Sequence, residues 1–287
     1  MTSAQKPIFS PSDLQTWLEI GTEAALAAGA EIFSLWGKVQ QIQEKGRAGD
    51  LVTEADRQAE AIILDIIRRH CPDHGILAEE SGHWGSGDNP FCWAIDPLDG
   101  TTNFAHSYPV SCVSIGLLVQ GLPTVGVSFN PFRQELFRAA RGLGATLNRQ
   151  LIQVSSTASL AKSLLVSGFA YDRIKTLDNN YPEFCYLTHL TQGVRRSGSA
   201  AIDLTDVACG RLDGYWERGI NPWDITAGMV IVQEAGGIVS AYDGSPLDLS
   251  TGRILATNGK IHGELSKALA ETSQWFQQYA AARAQKN

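Results

Sequence analysis

The 287-residue chain lacks several features that mark whole classes of proteins. Its five cysteines form no CxxC pair and match no zinc-site spacing, so a zinc module is not expected. The chain has no long run of like charges, and its formal charge is −7, which argues against a nucleic-acid partner. The longest mostly apolar run, at 113–119, is shorter than the roughly 20 residues that span a bilayer.

The first residues, MTSAQKPIFSPSDL, lack the charged and apolar regions of a signal peptide. We therefore expect a cytoplasmic protein in a reducing setting, with no membrane partner. The hydrophobic content of 44% is ample for a sizeable core. The length suits a single domain, 1–287, made of two fused halves at about 10–150 and 151–287.

The spacing of apolar residues predicts helices alternating with short strands. Ser12 is expected to cap the first helix, and Gly29 interrupts its pattern. Thr53 and Asp56 stand three apart, like a cap and its partner, at the start of the second. The predicted helices cover 12–36, 53–70, 178–191, 200–208, 224–235 and 263–282. The predicted strands cover 76–78, 93–95, 110–119, 124–129, 135–140, 145–154, 164–169, 214–217, 238–241 and 254–257. This mixed order indicates α/β or α+β layers, and the polar, glycine-containing segment 37–50 suits a mobile loop.

The strongest chemical signal is the stretch WAIDPLDGTTNF at 93–104. A buried strand is expected to end at Asp96, where Pro97 stops further pairing, and a tight turn then brings Asp99 close to Asp96. Two carboxylates that near repel each other unless a cation lies between them, and oxygen ligands suit Mg²⁺. Gly100 lets the backbone approach a ligand, and the N–H groups of 100–102 are placed to open a short helix toward an anion.

Each acidic segment also has an interpretation without catalysis. The Asp-Pro and Asp-Gly pairs of 96–100 are common in solvated turns. Glu79 and Glu80 fit an ordinary exposed pair, and Asp224 fits a helix cap. The acids of 50–56 fit a helix N-terminus, where negative charge favours the helix dipole. Taken one at a time, these segments leave both interpretations open.

Taken together, the acidic segments resemble the inositol monophosphatase family. The matching stretches are DLVTEAD (50–56), ILAEESG (76–82), WAIDPLDGTTNF (93–104), GSAAIDLTDVACGRLDGYWE (198–217) and PWDITAGMVIVQEAGG (222–237). The combination of DPxDGTTNF with WDxxAG is the specific part of the likeness. The resemblance implies a layered αβαβα sandwich of the inositol monophosphatase and fructose bisphosphatase type, a homodimer, and two to three Mg²⁺ ions between the two halves.

The resemblance also implies roles for particular residues. The implied metal ligands are Glu79, Asp96, the carbonyl of Leu98, Asp99, Thr101 and Asp224. The implied substrate-binding residues are Asp99, Gly100, Thr101, Thr102, Gly198, Ser199, Ala200, Glu217 and Asp224. Thr101 with Asp56 would polarise the attacking water, Glu79 would share a third and looser ion, and Lys45 would lie near the phosphate. The implied reaction is direct attack of water on phosphorus, sensitive to lithium.

The sequence leaves the identity of the substrate undecided. Ser199 and Asp203 stand where animal members of the family usually carry threonine and asparagine. The implied substrate is a small phosphorylated polyol or sugar, first of all myo-inositol 1-phosphate. Sister phosphatases that act on histidinol phosphate, 3′-phosphoadenosine 5′-phosphate or fructose 1,6-bisphosphate are alternatives. A regulatory protein that acts in transcription complexes is the alternative without catalysis.

Overall fold

The computed structural model describes residues 9–38, 42–45, 50–85 and 89–284. Their helices are α1 (Pro11–Leu35), α2 (Glu54–His70), α3 (Thr101–Ala105), α4 (Tyr181–Leu190), α5 (Ala200–Ala208), α6 (Pro222–Glu234) and α7 (His262–Ala284). Their first strands are β1 (Ile42–Glu44), β2 (Leu51–Thr53), β3 (Gly75–Ala78), β4 (Gly82–Trp84), β5 (Phe91–Asp99), β6 (Cys112–Val119), β7 (Leu122–Asn130), β8 (Glu135–Ala140), β9 (Gly144–Leu147) and β10 (Gln150–Leu151). The remaining strands are β11 (Leu164–Ser167), β12 (Gly193–Arg195), β13 (Gly214–Arg218), β14 (Ile238–Ser240) and β15 (Arg253–Thr257).

Five layers result from how these elements pack. Helices α1 and α2 cover one face of an eight-stranded sheet with the order β10-β9-β8-β7-β6-β5-β3-β4. Helices α5 and α6 lie between that sheet and a five-stranded sheet with the order β12-β11-β13-β15-β14. Helices α4 and α7 pack together on the second sheet. The predicted αβαβα layering is confirmed.

Strand β5 carries the acidic motif through the middle of the large sheet. It pairs in parallel with β3 and antiparallel with β6, so that Ala78 lies opposite Ile95 and Glu79 follows at the same sheet edge. The prediction that pairing stops at Asp96 is wrong. The register shifts between Asp96 and Asp99, and Asp99 pairs again with Cys112. Pro97 is accommodated in this bulge, where a ladder hydrogen bond is not required.

The N-cap of the first helix lies two residues earlier than expected. Ser10, not Ser12, is its N-cap, and Pro11 occupies the first turn. The side chain of Asp13 accepts from Ser10 N over 2.7 Å, which closes a capping box. Proline at the first helical position favours this start, because it has no N–H to leave unpaired. The predicted cap of α2 is confirmed, with Thr53 as N-cap and Asp56 as its partner.

The other differences concern short strands. The segment predicted as one strand at 145–154 is the tight hairpin of β9 and β10. Strands β2, β4 and β12 were not predicted, and each has three residues. Part of the predicted loop at 37–50 lies outside the described residues, and its described part contains β1, which pairs with β2. Among the helices of the described ranges, none is both long and apolar enough to cross a membrane.

Candidate active site

A cleft of about 560 Å³ gathers the residues that the sequence singled out. Its walls come from the end of β5, from α3, and from the N-termini of α5 and α6. All of the predicted site residues line it except Asp56, which lies behind Thr101. They are Lys45, Glu79, Asp96, Leu98, Asp99, Gly100, Thr101, Thr102, Gly198, Ser199, Ala200, Glu217 and Asp224. A neighbouring hollow of about 640 Å³ is also lined by Lys45 and Glu79, but Asp96, Asp99 and Asp224 do not line it.

The corner between β5 and α3 fixes the first acidic group. Asp96 is 2% exposed, and its Oδ1 accepts from Leu98 N over 2.9 Å, so the bulge itself orients the carboxylate. A solvated turn is therefore excluded for this segment. Gly100 has φ +92°, and a Cβ there would lie 2.8 Å from the carbonyl oxygen of Val110. Only glycine meets both conditions, and it allows α3 to begin directly at the cleft.

The N-terminus of α5 holds Asp99. Its Oδ2 accepts from Ser199 Oγ and from Ala201 N, each over 2.6 Å. Burial raises the pKa of Asp99 to about 6, although these two hydrogen bonds favour the ionised form. The N-terminus of α5 thus fixes one oxygen of the carboxylate.

The N-terminus of α6 presents Asp224. Asn221 is the N-cap, and its N–H donates to Asp224 Oδ2 over 2.7 Å. Asp224 is therefore not the cap itself but the capping partner at the third helical position. Next to it, Trp223 lines the cleft, and its indole N–H is buried with no acceptor in the described part of the chain.

Thr101 is linked to Asp56 at the start of α2. The hydroxyl oxygen of Thr101 lies 2.9 Å from Asp56 Oδ1 and 3.1 Å from the carbonyl oxygen of Leu98. The other carboxylate oxygen of Asp56 accepts from Thr53 N over 2.8 Å and from Thr53 Oγ1 over 2.6 Å. Burial raises the pKa of Asp56 to about 6 despite these donors. The capping box of α2 therefore aims one oxygen of Asp56 at the cleft threonine.

Lys45 lies between two glutamates at the end of β3. Its Nζ is 2.8 Å from Glu79 Oε1 and also pairs with Glu80. Partial burial disfavours the charged amine, but the two carboxylates outweigh it and raise the pKa of Lys45. Burial raises the pKa of Glu80 to about 7. The pair is not freely exposed, since the side chains of Glu79 and Glu80 are 21% and 13% exposed.

The acidic groups repel one another strongly. Burial, and then the charges of Glu79, Asp99 and Asp224, raise the pKa of Asp96 well above its usual value. Burial, and then Glu79 and Asp99, do the same to Asp224. As their side chains stand, no three His, Cys, Asp or Glu residues of the described ranges form a group that could hold a metal ion. The set nevertheless has the donors of a hard-cation site, since oxygen atoms and excess negative charge suit Mg²⁺.

Glu217 of β13 also lines the cleft, as do Gly198 and Ser199. Burial raises the pKa of Glu217 to about 7, while the hydroxyl of Tyr215 donates to it over 2.8 Å. The charge of Arg196 lowers the pKa of both Glu217 and Asp99.

Several residues that line the cleft were not predicted. Tyr171 comes from the loop after β11, and its side chain hydrogen-bonds with that of Thr102. Burial, and then nearby acids that include Asp50 and Glu79, raise the pKa of Tyr171 to about 12, so the side chain stays neutral. Arg196 had one available signal, since it stands two residues before the GSAA stretch. No sequence signal marked Tyr171, because the apolar residues around it show no helix or strand periodicity.

Known proteins that are similar to this chain in sequence and structure belong to the family that the acidic motifs resemble. The sequence profile of the Inositol monophosphatase family matches residues 13–275. The chain is 88% identical over 286 residues to the inositol-1-monophosphatase of Synechocystis sp., with both chains covered in full. The structure of inositol monophosphatase from Anabaena (Nostoc) sp. superposes with a TM-score of 0.84 at 63% identity, covering 90% of this chain and 97% of that one. Nus factor SuhB of Pseudomonas aeruginosa is 43% identical over 91% of this chain and 97% of its own.

Proposed function

This chain belongs to the inositol monophosphatase family, and on that premise we propose that it hydrolyses myo-inositol 1-phosphate to inositol and phosphate with Mg²⁺ as cofactor. The family is a phosphatase family, and the chain is an enzyme of that kind. The observation that carries the proposal is the meeting of Asp96, Asp99 and Asp224 with Glu79 at one cleft, where the charges of the other three acids raise the pKa of Asp96 and those of Glu79 and Asp99 raise the pKa of Asp224. Such a group is stable as anions only beside cations.

The proposed ligands divide over two to three ions. Glu79, Asp96, the carbonyl of Leu98 and Thr101 would hold the first, and Asp96, Asp99 and Asp224 the second. Glu79 would share a third, more loosely held ion. When bound, Mg²⁺ supplies a Lewis acid that makes water more acidic and neutralises phosphoryl charge.

The proton from the attacking water is assigned to Asp56 through Thr101. Their oxygen atoms are 2.9 Å apart, so the threonine hydroxyl donates to Asp56 Oδ1 and leaves its lone pairs toward the cleft. With a pKa of about 6, Asp56 is ionised at mildly alkaline pH and able to accept the proton. Lys45 would attract the phosphate, and the backbone at Gly100, Thr101 and Thr102 would orient it.

The alcohol part of the substrate would lie against Gly198, Ser199, Ala200 and Glu217. Hydroxyl groups of inositol suit this wall, because Glu217 and Asp99 are acceptors within the cleft. The sequence Asp99-Gly100-Thr101-Thr102-Asn103 also differs from many sister phosphatases, which carry lysine after the first threonine. Other sugar phosphates remain the alternative substrates, since they present the same hydroxyls.

The test is phosphate release at mildly alkaline pH, with Mg²⁺ and with EDTA. The esters are myo-inositol 1-phosphate, histidinol phosphate, 3′-phosphoadenosine 5′-phosphate, fructose 1,6-bisphosphate and galactose 1-phosphate. We expect Mg²⁺-dependent release that is fastest from inositol 1-phosphate and is inhibited by Li⁺. Faster release from another ester would move the protein to a sister activity, and undiminished release in EDTA would refute the metal chemistry.

A second candidate function is a role in transcription complexes, favoured by the 43% identity to a relative named Nus factor SuhB. Retention of RNA polymerase by the immobilised protein, at a salt concentration that removes non-specific binding, would support it. We further propose a cytoplasmic homodimer. Sedimentation at two protein concentrations tests the dimer, and a single species of 31.0 kDa would refute it.

A further inference from the structure

A buried tyrosine hydroxyl holds the carboxylate of Glu217. Tyr215 and Glu217 are two residues apart on β13, so their side chains share one face of the strand. The Tyr215 hydroxyl donates to Glu217 Oε2 over 2.8 Å. Tyr215 is fully buried, in the core that lies between α5, α6 and the smaller sheet. One oxygen of the cleft carboxylate is therefore tied to the protein interior.

The same carboxyl group also lies close against Gly168. Strand β11 pairs in parallel with β13, with Ser167 opposite Trp216, so that Gly168 comes next to Glu217. A Cβ at Gly168 would overlap the Glu217 carboxyl group. The φ of Gly168 is outside the left-handed region, so glycine is required here by space rather than by backbone conformation.

Two further side chains fix the backbone of Gly168. Asn180 is 1% exposed, and its Nδ2 donates to the carbonyl oxygen of Gly168 over 3.1 Å. The Tyr242 hydroxyl in turn donates to Asn180 Oδ1 over 3.0 Å. Buried hydrogen bonds linked in this way hold their members in one arrangement.

We propose that Tyr215 and Gly168 are positioning residues, which hold the Glu217 carboxylate so that it selects phosphate esters whose alcohol carries further hydroxyl groups. This inference rests on the proposed function and adds to it how Glu217, which would contact the alcohol part of the substrate, is held in one orientation. A carboxylate fixed at one oxygen presents the other in a defined direction. An ordered acceptor in a half-buried site discriminates strongly between substrates that supply a donor and those that do not.

The test is Tyr215→Phe, which keeps the buried ring and removes the hydroxyl. Tyr186→Phe is the matched control, because Tyr186 packs against Trp275 away from the cleft. The measured quantity is kcat/KM for inositol 1-phosphate divided by kcat/KM for p-nitrophenyl phosphate, whose alcohol has no further hydroxyl. We expect Tyr215→Phe to lower this ratio about tenfold, mainly through KM for inositol 1-phosphate, as the loss of one hydrogen bond to a charged group implies. The control should leave the ratio unchanged.

A double-mutant cycle separates positioning from general damage. If Tyr215 acts through Glu217, Tyr215→Phe should change the ratio little once Glu217→Ala is present. Gly168→Ala should lower the ratio at least as much as Tyr215→Phe, because it displaces the carboxylate itself. Equal losses on both esters, or full additivity in the cycle, would overturn the proposal. If the wild-type protein prefers another polyol phosphate, only the proposed substrate is refuted. The same ratio, measured with that ester in place of inositol 1-phosphate, still tests the role of Tyr215.

Discussion

At the scale of single residues, the site combines side chains that destabilise the fold with backbone that holds them in place. Asp96 is the clearest case, because it is buried, surrounded by three other acids and fixed by Leu98 N. Such residues are retained for function at a cost in stability.

Asp96→Asn should therefore have opposite effects on activity and stability. We expect kcat to fall by about three orders of magnitude or more, because the oxygen proposed to bridge two ions becomes a neutral amide. In EDTA the variant should melt no lower than the wild type, since one of the repelling charges is gone. Steady-state kinetics and thermal unfolding check both effects. Asp65→Asn, on the exposed face of α2, is the control. A variant that keeps a tenth of the activity would refute the bridging role.

Asp203 gives a prediction about pH. It is 2% exposed, and burial raises its pKa well above the usual value even though the Ser197 hydroxyl donates to it. Below about pH 4 the carboxyl is protonated in both the folded and unfolded chains. As the pH rises through the folded pKa, the unfolded chain has already released its proton, so this contribution to stability is lost.

Asp203→Asn removes that titration and still accepts from Ser197. We expect the variant to unfold like the wild type at pH 4 and to be about 1–3 kcal/mol more stable at pH 8, in line with the usual cost of an unpaired buried charge. Urea unfolding at the two pH values measures the difference. A stability difference that does not change with pH would count against the explanation.

At the scale of elements, close helix packing explains a glycine that weakens the sequence pattern. Gly29 lies in the middle of α1, where glycine is a poor helix former, but a Cβ there would overlap the ring of Phe129 on β7. The helix can approach the large sheet because the side chain is missing.

Gly29→Ala should destabilise the protein by about 1–3 kcal/mol, since overpacking outweighs the gain in helix propensity. Gly263→Ala is the matched control, because Gly263 is also helical, in α7, and a Cβ there meets nothing within 4 Å. In the control, the free energy of unfolding should rise by up to about 1 kcal/mol. Thermal unfolding of the two variants compares them directly. A stabilised Gly29→Ala would show that the sheet moves to make room.

The elements also show what the sequence could reveal. The bounds of β8 and α5 were predicted to the residue, because each has a clear apolar period and flanking turn residues. Strands β1, β4 and β12 have three residues each, too few for a period, and their existence depends on partners distant in the chain. Ser10 rather than Ser12 is the cap, and Pro11 between them is a local signal for that start, because proline favours the first helical position.

Some residues of the cleft could be predicted from the sequence and others could not. The aspartates on β5 and α6 belong to dense motifs, so their meeting at one cleft was foreseeable, although their roles stay predictions. The cleft positions of Tyr171 and Arg196 depend on how a surface loop and the segment before α5 lie over the sheet edge. Apart from the place of Arg196 just before the GSAA stretch, no local pattern encodes that placement.

At the scale of the whole molecule, the acidic groups come from both sheets and from the helix layer between them. Asp96 and Glu79 belong to the large sheet, Asp224 to the middle layer, and Glu217 to the small sheet. A cation held by Asp96 and Asp224 would link the large sheet to the helices between the sheets, so its binding should stabilise the fold as a whole.

We expect Mg²⁺ to raise the Tm of the protein. A ligand that binds only the folded chain adds about 2.7 kcal/mol at one hundred times its Kd, which for a chain of this size corresponds to roughly 5 °C. The rise should be absent in Asp96→Asn and retained in Asp65→Asn, with EDTA as the reference for each protein. An equal rise in all three would place the ion elsewhere, because the only carboxylate removed from the cleft would then have no part in binding it.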